Sequence, residues 1–262
     1  MVRFRYWFLL LFTVVYFSCE DKMNDTSGPV EDSVQTNTIT FHFDHTVDGK
    51  GVVYNDIQYE NEAGNQYSVM TLRYLVSDIR LHHYDGTVVK LDTFHYRDID
   101  IPETRTLTVE NVPNGHYNYI SFIFGLDSIK NKDFALPPTQ DYNNMEWPIP
   151  MGGGYHYMKF EGRYILTNGE TGSFNTHTGR LKTMDGTIHE NFIHIILPKS
   201  AFAINNDNWE MQIYMNLNEW YTEPNMYNIE SFGPAIMNNQ QAQQMLKENG
   251  ADAFSLGYID RF

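Results

Sequence analysis

Residues 38–46 read TITFHFDHT, with apolar side chains at every second position. A period of two fits a pleated strand and not a helix, so Ile39, Phe41, Phe43 and His45 are expected on one face and Thr40, His42 and Asp44 on the other. The same pattern recurs at 71–82, 88–94, 105–109, 117–124, 155–166, 188–197 and 209–217. Asp85-Gly86, Asn114-Gly115, Asn168-Gly169 and Asp185-Gly186 are turn signals between these segments. Helix is expected only at 238–249 (NNQQAQQMLKEN), where Asn238 or Asn239 caps the start and Gly250 stops the end. With 262 residues, 42% hydrophobic and 15% aromatic, the chain has apolar material for one large core. The predicted fold is all-β: an antiparallel β-sandwich over 38–262 with a short C-terminal helix.

The N-terminus carries a separate message. Arg3 and Arg5 precede an apolar run at 6–17, too short to span a bilayer, and Ser18-Cys19 closes it. This order reads as an export signal over 1–18 and resembles a bacterial lipoprotein signal. Cys19 is the sole cysteine, so it has no disulfide partner within the chain and is the candidate lipidation site. Glu20 and Asp21 behind it resemble the surface-export signal of Bacteroidota lipoproteins. Residues 19–37 hold almost no apolar side chains and are expected to form a flexible tether. An outer-membrane lipoprotein, facing the periplasm or the cell surface, is the expected localisation. A formal net charge of −15, with only 18 Lys and Arg spread along the chain, argues against a nucleic-acid partner.

Hydrolytic chemistry finds no support in the residues. The chain lacks a Gly-x-Ser-x-Gly elbow, a phosphate loop, a dinucleotide fingerprint and a His-Glu-x-x-His zinc motif, and its carboxylates scatter through turns. No enzyme is predicted. The run Gly152-Gly153-Gly154 is read as a hinge that brings backbone close to something, because a strand and not a helix follows it. The ten histidines carry more weight, since imidazole, thioether and carboxylate are the remaining ligands for copper or zinc in a chain without paired thiols. Taken singly, a histidine is more often a surface or satisfied residue than a ligand. His45 departs from that expectation by sharing a face with Phe41 and Phe43, where a neutral imidazole must find a hydrogen bond or a metal. His177 falls at the end of a candidate hairpin that begins with Glu161. His156 alternates with Met158 and Phe160, so its plain reading is a core histidine, and it stands beside that as a further candidate ligand on the strand after the glycines. His82 and His83 point to opposite faces and cannot both serve one site on a regular strand.

Several ordered segments resemble the MbnP-like copper-binding family, exported and often lipidated β-sandwich proteins named for the periplasmic partner of methanobactin. They are Phe43-x-His45, Tyr67-Ser68-Val69 leading into Leu72-Arg73-Tyr74-Leu75-Val76-Ser77-Asp78, and Val112-Pro113-Asn114-Gly115-His116-Tyr117. Gly125-Leu126-Asp127-Ser128, Met145-x-Trp147, Lys159-Phe160-Glu161-Gly162, His177 with Gly179, and Asn249-Gly250-Ala251-Asp252 follow in the same order. The resemblance spans roughly 38–257. It implies copper held by histidines beside a tryptophan that is oxidised to kynurenine with the help of a dihaem peroxidase-like partner. By position, it makes His45 and His177 the candidate ligands and Trp147 the modifiable group. Kynurenine offers an amine and a carbonyl where indole has only a donor N–H, and Met145 or Met151 could add a thioether suited to Cu(I).

Two functions from different classes follow. One is an exported copper carrier or buffer. The other is a surface glycan-binding or scaffold lipoprotein without metal, for which 18 Tyr, 17 Phe and 4 Trp would supply stacking platforms.

Overall fold

The computed structural model describes residues 37–91 and 94–262. The expected signal segment, Cys19 and nearly all of the expected tether lie outside the described residues. The principal strands are β1 (Asn37–Val47), β2 (Thr71–His83), β3 (Phe94–Asp98), β4 (Thr106–Val112), β5 (Gly115–Phe124), β6 (His156–Ile165), β7 (Thr171–Gly179), β8 (Ile193–Leu197), β9 (Phe202–Ile204), β10 (Trp209–Asn216) and β11 (Phe254–Arg261).

They form the two sheets of an all-β sandwich. In one sheet β1 lies between β10 and β4, and β11 flanks β10. In the other, β2 pairs with β3, β5 and β6, while β6 carries β7 on its outer side and β5 carries β8 and β9. The alternation read in 38–46 is realised: Ile39, Phe41 and Phe43 are at most 1% exposed, and the residues between them face outward. They join one continuous core with Leu72, Tyr74, Phe124, Phe160 and Trp220.

Four departures from the sequence reading have physical causes. β1 and β10 run parallel, from Ile39 opposite Trp209 to Thr46 opposite Asn216, because alternation fixes a strand's faces and not its direction. The strand expected at 188–197 breaks after His189, since the Asn191 side chain turns away to donate to the carbonyl of Gly179 at 2.7 Å. The segment 88–94 divides between a short strand Val88–Lys90 and the start of β3. A final strand, β11, follows the helix; its mixed exposure pattern and Gly257 hide the alternation. The C-terminal helix itself is Gln240–Asn249, with the Asn239 side chain accepting from the Ala242 N–H at 3.0 Å.

Candidate metal centre

The segment between Met145 and Tyr155 closes over one end of the β6–β7 pair, and its glycines explain its path. Gly152, Gly153 and Gly154 all have positive φ, at 124°, 68° and 82°. Gly153 and Gly154 are also crowded. A Cβ on Gly153 would lie 2.3 Å from Oδ1 of Asp133, and one on Gly154 would lie 2.1 Å from Oδ1 of Asn131. Those two side chains approach so closely because they accept backbone N–H bonds, Gly154 to Asp133 at 2.6 Å and Tyr155 to Asn131 at 2.8 Å. The glycine run does bring backbone close to something: the loop that carries Asn131 and Asp133.

This loop path buries Trp147, which is 2% exposed. Its backbone N–H donates to the carbonyl of Gly154 at 2.8 Å, and its indole N–H donates to the carbonyl of Met151 at 3.2 Å. Gly179 supplies the floor under the ring. His156 meets the indole edge-on, with ring centres 4.7 Å apart, and His177 meets His156 the same way at 5.1 Å. Trp147, His156 and His177 therefore form one contiguous stack.

Hydrogen bonding sets the tautomers of both imidazoles. Nδ1 of His156 lies 3.1 Å from the carbonyl of Met145, and a carbonyl only accepts, so the neutral ring carries its proton on Nδ1 and its lone pair on Nε2. Nε2 of His177 lies 2.7 Å from Oε1 of Glu161, so its neutral ring carries the lone pair on Nδ1. Glu161 is held below the usual carboxylate range, first by this hydrogen bond and against some burial, and so remains an ionised acceptor. Burial, with Lys159 and His177 nearby, lowers the pKa of His156 to about 3 and keeps it neutral. Each ring is thus oriented by an acceptor on one nitrogen and left with a basic nitrogen on the other, the usual outer-shell arrangement of a metal-bound histidine.

The spacing also fits a shared ion. A ligating imidazole nitrogen sits about 2 Å from a first-row metal, placing the ring centre about 3 Å away and two such rings about 5 Å apart at a tetrahedral angle. The observed separation is 5.1 Å. Imidazole suits copper, so the donor set fits that metal. Among the described residues no group of three or more His, Cys, Asp and Glu side chains is arranged to hold a metal ion. A third donor would have to be of another kind.

The residues singled out from the sequence divide accordingly. Trp147, His156 and His177 come together. Met145 is fully buried in the core and meets His156 through its carbonyl, just as Met151 meets the indole through its own. His45 stands apart from the stack, at the interface of the two sheets. Its Nδ1 is 3.1 Å from the Tyr54 hydroxyl and its Nε2 is 3.1 Å from that of Tyr74, so both nitrogens are engaged. Its imidazole found the hydrogen bonds that its apolar face demanded. Sequence reasoning missed Gln243, whose amide donates to the carbonyl of His177 at 2.7 Å while its oxygen accepts from the Gly179 N–H at 3.2 Å. One glutamine among the four of a polar helix gives no signal for this role; only its full burial does.

The fold and the stack define a class: an all-β sandwich with a buried tryptophan and two oriented histidines at one end of a strand pair. The chain belongs to the MbnP family, whose model matches residues 36–240. Among solved structures it is similar to MbnP from Methylosinus trichosporium, at 16% identity and a TM-score of 0.48, over 68% of this chain and 76% of that chain. Comparison with curated proteins gives no match.

Proposed function

We propose that this protein is an exported copper-binding protein, a carrier or buffer, in which His156 and His177 hold the ion beside Trp147. The single observation that carries the reading is the pair of imidazoles, each fixed in its tautomer by an acceptor and 5.1 Å apart. His177 keeps the ligand role that the family resemblance gives it. His156 takes the second place in preference to His45, whose nitrogens are already used. The free nitrogens of both imidazoles are committed to the ion in this reading, which favours storage or transfer over turnover.

Trp147 is the group for modification in this reading, by a dihaem peroxidase-like partner. Its C2–C3 bond breaks, each carbon takes one oxygen from a peroxide equivalent with water as by-product, and hydrolysis of the formyl amide releases formate to leave kynurenine. The product's amine and carbonyl would be the third kind of donor that two histidines require. The N-terminal sequence supports export and an outer-membrane lipid anchor at Cys19. Fatty-acid labelling of cells should mark the wild type and not Cys19→Ser.

Copper titration tests the centre. His156→Ala and His177→Ala should each lower affinity sharply with folding retained, whereas His45→Ala should leave copper affinity unchanged wherever the variant folds. Full affinity in both of the first two variants would sink this assignment. Absence of copper binding by the wild type, together with a hit in a glycan screen, would move the protein to the binding-lipoprotein class.

A further inference from the structure

Among the described residues β3 pairs with β2 on one side and with no strand on the other. On that open side the turn Pro102–Arg105 and the helical turn Gln140–Asn143 border a cleft of about 390 Å³, within the size range of small-molecule sites. Phe94, Tyr96 and Tyr142 line it with their rings set steeply to one another. Tyr142 lies 5.7 Å from Phe94 at 69° and 6.0 Å from Tyr96 at 63°. Rings at such angles make a corner, and an aromatic face attracts a cation.

The unengaged polar groups of the cleft, the Tyr142 hydroxyl aside, are acceptors. Glu103 and Asp141 line it, and neither side chain has a hydrogen bond or an ion pair among the described residues. His95, 8% exposed, lines it too. Its Nε2 lies 2.8 Å from the carbonyl of Thr104, which fixes the proton there and leaves Nδ1 with a lone pair and no hydrogen bond among the described residues. Burial, opposed by the bond to Thr104 and aided by Arg97, lowers the pKa of this ring to about 4 and keeps it neutral at pH 7. The charge of Asp141 reaches both tyrosines, adding to the burial that raises their phenol pKa values.

The neighbouring cations do not cancel this charge. Arg73 pairs with Asp98 at 2.8 Å and Asp100 at 3.6 Å, and Arg105 pairs with Asp44 at 2.7 Å. Arg97 donates to the carbonyls of Phe43 and Asp98. With Glu103 and Asp141 included, these three arginines stand against five carboxylates, so the surroundings of the cleft are anionic.

We propose that this cleft binds a small organic ammonium compound. The aromatic faces hold its cationic head, and Asp141, Glu103 and the free Nδ1 of His95 accept its N–H groups. The site does not depend on the function proposed above. An inorganic cation is a poor occupant, because no group of three or more His, Cys, Asp and Glu side chains among the described residues is arranged to hold a metal ion. A neutral sugar would stack on the rings but leave both carboxylates without a counter-charge.

The test is isothermal titration calorimetry of the full chain at pH 7 and low salt, with putrescine, choline and glucose as probes. Putrescine should bind saturably and more tightly than choline, which has no N–H to donate, and glucose should give no heat. Asp141→Asn/Glu103→Gln, which keeps the shape of both side chains, should weaken putrescine binding by roughly tenfold or more. Tyr142→Leu, which keeps an apolar wall but removes the ring, should weaken it roughly 2- to 30-fold. Glu110→Gln/Asp260→Asn, a change at two exposed acids that do not line the cleft, should bind like wild type. Full binding by the cleft carboxylate variant, an equal loss in the control variant, or no saturable binding of putrescine by wild type overturns the site. So does binding of glucose in its place. Phosphatidylethanolamine vesicles distinguish the source of the amine: sedimentation with them that putrescine displaces and the cleft variant lacks assigns a lipid headgroup, and its absence beside putrescine binding assigns a free amine.

Discussion

Gly179 lies directly under the indole of Trp147: a Cβ added there would stand 2.5 Å from Cε3 and 2.7 Å from Cζ3 of the ring. Both neighbours are fixed. Gly179 is clamped by Gln243 on its N–H and Asn191 on its carbonyl, and the indole is held by Met151.

Gly179→Ala should therefore overpack the site and not merely stiffen the chain. A loss of about 1–3 kcal/mol in unfolding free energy is expected, as for other added methyl groups in filled interiors. Near-ultraviolet circular dichroism should change as the indole is displaced. Urea unfolding and a spectrum identical to wild type would show that the ring has room to move.

Acid should weaken the fold through His45. Burial, aided by Arg97 and opposed by Asp44, lowers its pKa from 6.5 to about 3. Between those values the unfolded chain binds a proton that the folded protein refuses, so stability is lost as pH falls from about 6.5 to about 3. The slope from one such group is up to about 1.4 kcal/mol per pH unit. Urea midpoints measured from pH 7 to pH 4 should fall steeply in the wild type and less steeply in His45→Gln. Equal slopes in the two proteins would contradict this account.

Glu161 orients His177 and should tune the metal without touching it. Glu161→Ala is expected to reduce copper affinity about 10- to 100-fold, the usual effect of losing an outer-shell carboxylate. Glu161→Gln, whose amide oxygen still accepts from Nε2, should lose less. Copper competition assays distinguish these outcomes, and wild-type affinity in Glu161→Ala would remove the carboxylate from the centre.

Gln243 ties the C-terminal helix to the backbone of β7 where, among the described residues, no further strand pairs with it. Gln243→Ala leaves a buried N–H and a carbonyl without their partner, at a cost of about 1–3 kcal/mol for each group so exposed. Hydrogen exchange at the Gly179 amide should accelerate more than exchange in β1. Unchanged protection at Gly179 would mean that another group replaces the clasp.

Much of this architecture was legible along the chain. Alternation at 38–46 located β1 and its buried face, and capping by Asn239 located the helix, because both signals depend on neighbours a few residues apart. His177 and Trp147 stand out along the chain through the family resemblance that it carries. His156, a core histidine by its spacing with Met158 and Phe160 and a candidate ligand as well, is buried against His177, and the register between β6 and β7 shifts between His156 and Met158. Such an irregularity re-aims a side chain, and period-two counting does not register it.

What the sequence determined alone was periodicity: where most of the strands lie, which face of those is apolar, where the chain must turn, and that Cys19 has no thiol partner within the chain. Only the tertiary structure decided which histidines meet. His45 and His177 sit on strands of different sheets, and spacing along the chain says nothing about distance between sheets. The sandwich packs the first against Tyr54 and Tyr74, and the second against His156. The ligating potential of an imidazole depends on which nitrogen its neighbours leave free, and those neighbours are supplied by segments remote in sequence.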